Sequence, residues 1–387
     1  MGWSSFRQVG LSFHKQVASV KGYTLVTPIG GDASYLLDMS GRIVHRWRHL
    51  LVRGFYARLL PDGSLIVMGT DVNVGRPEVP PGVVPSFDVA IRRIGGNATH
   101  ILELDWDGNV TWQYENPTIH HDFVRLPNGN TLAPSFVELP ADLARSVRGG
   151  YRDAEKMPAL ISDDIIEVDR AGREVSRVHL WQLLDPRRDP ICPLERRQEW
   201  THTNSLDATP DGDILFSCRV NSRVGLIERG GGKLVWKYGA PNVHHQHHAS
   251  VLANGHVQIF DNGMHRLGMP RSAVVEVDPK DSSRTWEYVS NPEAQFFSAH
   301  ISGAERLAGD NVLVCEGATG RVFEITRAGE VVWEWTSPFA VRLPTGQLNS
   351  WIFRAHRYSP DYAGLAGREL HADRHSDLNR MYGLDRD

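Results

Sequence analysis

The run HASVLANGHVQIFDNG (248–263), followed closely by VVEVDPKDSSRTWEY (274–288), decides the fold. Each half holds β-branched and aromatic residues on both sides of a turn carrying Gly or Asp, the pattern of an antiparallel hairpin. The leading hairpin recurs as YARLLPDGSLIVMG (56–69), HDFVRLPNGNTLAPSF (121–136), HTNSLDATPDGDILFSCR (202–219) and HISGAERLAGDNVLVCEG (300–317). The trailing one recurs as ILELDWDGNVTWQY (101–114), IIEVDRAGREVSRV (165–178), LIERGGGKLVWKY (226–238) and VFEITRAGEVVWEW (322–335). Two hairpins make a four-stranded unit of roughly 40 residues plus insertions, the size of a propeller blade.

Five such units fill about 54–336, and the pieces left over complement each other. YLLDMSGRIVHRW (35–47), within 22–48, lacks a leading partner, and SWIFRAHRYS (350–359) lacks a trailing one. Pairing them gives a sixth blade and leaves no sheet edge open. The expectation is therefore an all-β, six-bladed β-propeller over 21–359, closed by its N- and C-terminal strands. An extension (1–20) precedes it, and a polar tail (360–387), short helix or disordered, follows it. Tryptophans of the trailing hairpins are expected on outer strands, packed between neighbouring sheets.

Composition narrows the function classes. The 387 residues are 41% hydrophobic and 23% charged, with net charge -4, which excludes a strongly basic nucleic-acid surface over the whole chain. Cys192, Cys218 and Cys315 are too few and too scattered for a disulfide framework, and none pairs as CxxC. The N-terminus shows no apolar run of signal-peptide length, and no stretch approaches ~18 apolar residues. A soluble cytoplasmic protein is expected, with neither nucleic acid nor membrane as partner and with room for a homodimer. Three segments break the blade pattern, 70–98, 138–160 and 185–199. Long ordered loops on a rigid scaffold are commonly lids or pocket walls.

The 18 histidines are not scattered at random. His121, His202, His248 (or its neighbour His247), His300 and His356 each fall at the start of an expected innermost strand, with Tyr56 at the corresponding place in another blade. Those positions would gather around a central channel. Such imidazoles can ligate a transition metal or act as bases and a nucleophile. In VHHQHHASV (243–251), an extended chain would put His245 and His247 on one face and His244, Gln246 and His248 on the other. Surface or loop roles are expected for His244 and His245.

The stretch WTHTNSLDATPDGDILFSCRVNSRVGLIERGGGKLVWKYGAP (200–241), with QHHASVLANGHVQIFDNG (246–263), resembles the arylsulfate sulfotransferase family. The shared positions are Trp200, His202, Asn204, Ser205, Ser217, Arg219, Val235, Trp236, Gln246, His247, Phe260, Asp261, Asn262 and Gly263, while Cys218 stands where the family pattern has a second Ser. HHDFVRLPNGN (120–130) resembles the preceding blade of that family. The resemblance implies nucleotide-independent sulfuryl transfer to a small aromatic or phenolic acceptor through a histidine nucleophile. Carried over by position, His247 is the nucleophile and His248 the close alternative. His202 and His121 are general acid or base, and Arg219 holds sulfate oxygens. Tyr56, Asn204, His300, Arg354 and His356 are expected to contact substrate. No cofactor follows from this reading.

Two other classes compete. A metal-dependent lyase, hydrolase or isomerase would use His121, His202, His248, His300 and His356 as ligands to a divalent transition metal. A protein-binding propeller scaffold would use its outer rims and has no need of a histidine-lined channel.

Overall fold

We describe a computed structural model covering residues 8–80, 83–151, 159–230, 232–342, 346 and 348–385. The start of the N-terminal extension, positions 81–82 and 152–158 of two insertions and the last two tail residues lie outside the described residues. The described strands form five antiparallel sheets of four strands and one of five, together with two short ribbons. This is the six-bladed β-propeller expected from the repeat. Its leading strands are Val52–Leu59, Val124–Arg125, Thr203–Ala208, His247–Val251, Gly303–Arg306 and Ile352–Tyr358.

The chain divides into two compact units, one of Met1–Val67, Leu102–Thr111 and Ile301–Asp387, the other of Met68–Ile101 and Trp112–His300. In the first, the terminal strands pair as expected: Tyr23–Pro28 lies antiparallel to Ile352–Tyr358, with Tyr23 opposite Tyr358 and Leu25 opposite His356. The N-terminal extension does more than precede the propeller. Its Gly10–His14 adds an outer strand beside Val331–Thr336, placing Gly10 opposite Thr336. The tail is also ordered. Its helix Ser376–Met381 presents Asn379, whose amide accepts from Ile43 N (2.8 Å) and donates to Ile43 O (3.1 Å).

In the second unit, the blade 203–239 packs on the blade 247–288. Leu215, Val224, Trp236 and Tyr238 meet Ala249, Val257, Ile259 and Val275, all buried. Each aliphatic residue buried there contributes about 1.5–3 kcal/mol. The middle strands Val257–Asp261 and Ala273–Asp278 are covered on both faces, burying Gln258 and Glu276 among their apolar residues, whereas the outer Ser283–Tyr288 is mostly exposed. The turns behave as their chemistry requires: Gly212 and Gly255 hold φ of 92° and 83°, where a Cβ would be strained. Outer-strand Trp47, Trp333 and Trp335 are fully buried, but Trp200 is buried just ahead of a leading strand instead.

The insertion 185–199 is built into this unit. Its strand Ile191–Arg196 pairs in parallel with Gly149–Tyr151. Asp189 binds Arg223 Nε (2.7 Å) and Lys237 Nζ (2.8 Å), and its carbonyl accepts from Trp200 Nε1 (2.7 Å). Positive charge is thus drawn from the blade 203–239 to a shielded carboxylate in the loop.

Candidate functional site

Backbone strain marks the site before any side chain is considered. Ten described non-glycine residues have φ in the left-handed region, and five of them are His121, His202, His245, His248 and His265. That conformation costs an L-residue about 1–2 kcal/mol, so its concentration on histidines points to geometry held for function. Two leading strands also bulge where their histidines stand. Register slips between Thr203 and Ser205, and again between His247 and Ala249. A bulge re-aims the side chains around it.

His121 sits at the centre of a tight three-residue turn, with Asp122 N–H donating to His120 O (2.7 Å) and His121 N–H donating to Gly96 O (2.9 Å). Gly96 has φ +75°, and a Cβ there would lie 2.2 Å from His121 Nε2. Only glycine lets the imidazole rest where it does. Behind it, His121 Nδ1 is 2.8 Å from Nδ1 of fully buried His120, whose Nε2 lies 3.1 Å from Asp163 Oδ1. Burial alone would raise the Asp163 carboxyl. The neighbouring His120 and the donors of Thr203 outweigh that and hold it below the ordinary value. Thr203 N–H (2.5 Å) and Thr201 Oγ1 (2.8 Å) both donate to Asp163 Oδ2. Asp163, His120 and His121 thus stand in line, a buried carboxylate close behind two adjoining imidazoles.

His202 meets the edge of His121, ring centroids 4.4 Å apart, and its Nδ1 lies 2.7 Å from Glu199 Oε1. Two imidazoles in contact, one against Glu199 and the other against His120 with Asp163 beyond it, have the chemistry to take up and release protons. Arg219 lies with the same group. Its Nη2 is 2.9 Å from Glu195 Oε1, and its charge lowers the basicity of both His245 and His300, after burial, the larger cause in each case. His245 is pushed down to about 2. The expectation of a surface or loop role for His245 is met in its second half only: it lies on a loop, but at 1% exposure it is not at the surface. The error came from assuming an extended chain. Left-handed turns at His245 and His248 break the alternation that placed His245 and His247 on one face.

His247 is buried, and its Nδ1 is 2.8 Å from Asn262 Oδ1. Asn262 Nδ2 donates to Ser298 O (2.8 Å), which fixes the amide's orientation. His247 Nδ1–H must then donate to Oδ1, and the imidazole lone pair resides on Nε2. His248, also buried, shares with His121 and His202 the left-handed backbone. Asn204, expected to touch substrate, donates through Nδ2 to Gln246 O (2.8 Å), binding one blade to the next.

Of the remaining expected residues, Tyr56, Arg354 and His356 belong to the first unit. Tyr56 and His356 stand in mid-strand, not at strand starts, with ring centroids 5.8 Å apart. Arg58 Nε donates to Tyr56 Oη (2.8 Å), and the Arg354 guanidinium lies 4.9 Å from the Tyr56 ring. His356 Nδ1 is 3.4 Å from Glu305 Oε2, and burial, then Arg58, lowers its basicity.

Sequence reasoning missed His120, Asp163, Glu195 and Glu199. His120 had a signal, its adjacency to His121, and Glu195 and Glu199 lie in an insertion singled out for its composition. Asp163 had none. Among the described residues, the cluster with metal-ligand spacing is Cys192, His245 and His265, which shares no member with the five-imidazole ligand set. No described helix is long and apolar enough to cross a membrane.

Comparison with known proteins supplies the context. A protein of unknown function from Bacteroides caccae superposes with TM-score 0.52 at 12% identity, over 87% of this chain and 98% of that one, a likeness of fold. A streptogramin B lyase (TM-score 0.47, 12% identity, 90% and 93% coverage) and virginiamycin B lyase from Staphylococcus aureus (0.41, 12%, 79% and 84%) are more distant. A search of curated protein sequences finds no match. The family model for outer membrane protein assembly factor BamB matches residues 162–345, less than half of the chain. The arylsulfotransferase (ASST) model matches residues 32–245, more than half of the chain and including His121, His202 and Arg219. The chain belongs to the arylsulfotransferase family.

Proposed function

We propose that the protein transfers a sulfuryl group from an aryl sulfate donor to a phenolic acceptor without a nucleotide, through a covalent intermediate on His247. The observation that carries the reading is the anchoring of His247. Asn262, held by Ser298, keeps the proton on Nδ1 and the lone pair on Nε2, the state a nitrogen nucleophile needs.

In the first half-reaction, the Nε2 lone pair forms an N–S bond as the aryl O–S bond breaks, its electron pair leaving on the phenolate oxygen. A proton from the His121–His202 pair neutralises that oxygen. In the second, an acceptor phenol gives its proton to the same pair while its oxygen attacks sulfur, and the N–S pair returns to Nε2. Glu199, beside His202, and Asp163, behind His120, stabilise the positive charge that the pair carries before the first step and regains in the second. Arg219 has five N–H donors, of which Glu195 occupies part, and the rest suit sulfate oxygens. No cofactor is needed for either step.

The test is incubation with 4-nitrophenyl sulfate, with and without phenol. Nitrophenol release that needs phenol for sustained turnover is expected, together with a mass gain of one sulfuryl group on donor alone, mapped to His247 and absent in His247→Asn. No release across a broad panel of aryl sulfates refutes the reading. A label mapped to His248 transfers the nucleophile's role to that residue.

A further inference from the structure

Cys192, His245 and His265 come from three separate segments of the second unit. Cys192 lies on the insertion strand Ile191–Arg196, His245 on the loop before His247–Val251, and His265 on the loop after Val257–Asp261. Cys192 Sγ is 3.5 Å from His265 Nδ1, and His265 Nδ1 is 3.1 Å from His245 Nε2. All three ligand atoms lie within 4.8 Å of one another. Zinc bonds of about 2.0–2.1 Å to nitrogen and about 2.3 Å to sulfur imply tetrahedral edges of about 3.3 Å (N···N) and about 3.6 Å (N···S). The two close separations therefore already approximate two edges of a zinc tetrahedron.

Both histidines hold left-handed backbone, φ 54° and 63°. Gly263, two residues before His265, packs so closely that a Cβ would meet Arg271 O at 1.9 Å. The backbone is thus bent on both sides to bring these rings together. His245 Nδ1 is buried without a hydrogen bond among the described residues and faces Glu195 Oε1 at 3.4 Å. A carboxylate behind the non-ligating nitrogen is the usual outer partner of a metal-bound histidine.

We propose that Cys192, His245 and His265 form a mononuclear site for a thiophilic metal, zinc, with one coordination position left for water or an anion. On binding, the Cys192 thiol gives its proton to solvent and its sulfur lone pair to the metal, while Nε2 of His245 and Nδ1 of His265 supply neutral lone pairs. A thiolate and two imidazoles suit zinc over magnesium or calcium. The bound ion clasps the insertion to the blade 247–288 and so fixes Glu195 and Glu199, which the same insertion carries. This site is independent of the sulfuryl-transfer reading.

The experiment uses the full chain, stripped with chelator and titrated with Co²⁺ and then Zn²⁺. One cobalt per chain is expected, with a near-ultraviolet thiolate-to-cobalt charge-transfer band that zinc abolishes. Cys192→Ser should remove the band and His265→Gln weaken binding at least ~10-fold. His121→Ala and His202→Ala should leave band and stoichiometry unchanged. Circular dichroism checks the fold of each variant. Should Cys192→Ser fail to fold, the wild-type chain gives a second readout: zinc should protect Cys192 from iodoacetamide, the alkylated peptide being read by mass spectrometry. A folded wild-type chain without the band, a band that survives Cys192→Ser, or an absence of protection overturns the site.

Discussion

Replacing Gly96 by alanine tests the placement of His121 without touching a titratable group. The added Cβ would stand 2.2 Å from Nε2 and 2.4 Å from both Cδ2 and Cε1 of the ring, whereas ordinary contact begins near 3.4 Å. The imidazole must retreat by more than an ångström, against Asp163 and His120 on one side and His202 on the other. A misplacement of that size costs a rate of about 10²-fold. The substitution also carries a backbone penalty of about 1–2 kcal/mol for alanine at positive φ. Gly172→Ala separates the two effects. Gly172 has φ +77°, nearly that of Gly96, and a Cβ there meets nothing within 4 Å. Both variants should melt roughly 2–4 °C lower than wild type, but only Gly96→Ala should lose kcat for release of nitrophenol from 4-nitrophenyl sulfate. Equal activity in the two variants would refute the argument that Gly96 exists to seat His121.

Asn262→Ala frees His247 to exchange its proton between ring nitrogens and removes the amide donor to Ser298 O. Stability should fall by about 1–3 kcal/mol, and the yield of sulfuryl-enzyme, read by intact mass at fixed time, should drop at least ~10²-fold. Arg219→Lys keeps the charge but loses the planar fork, and kcat should fall by about 10²–10³; an unchanged kcat removes Arg219 from the sulfate site. Asp189 is held below the ordinary carboxylate value: burial opposes this, but Lys237 and Arg223 prevail. Its folded pKa lies beneath the unfolded value of about 3.9, so its stabilisation is complete above that range and is lost as pH falls through it. Asp189→Asn should be about 3–5 kcal/mol less stable at neutral pH and should lose less on acidification than wild type, as thermal melts across pH would show.

The blades were legible because what specifies them is local. Alternation over five residues and a turn glycine such as Gly255 are complete within one hairpin, and the terminal halves could be matched because each lacked what the other held. The site was legible only in its first atoms. His121 and His202 could be found from their place in the repeat, but the carboxylates behind them could not. Asp163 reaches His120 from another strand of the same blade, and Glu199 reaches His202 from an insertion with no repeat to index it. The run His244–His248 failed for a sharper reason. Period-two reasoning holds only while the backbone stays extended, and a left-handed residue ends the alternation. The left-handed turn at His245 interrupts the run ahead of His247, and His245 lies in the interior beside His265 while His247 meets Asn262. The strain that hid these positions from a reading by period is also what singles them out as candidates for chemistry, because a packed propeller gains no stability from holding histidines in a conformation that glycine would adopt freely.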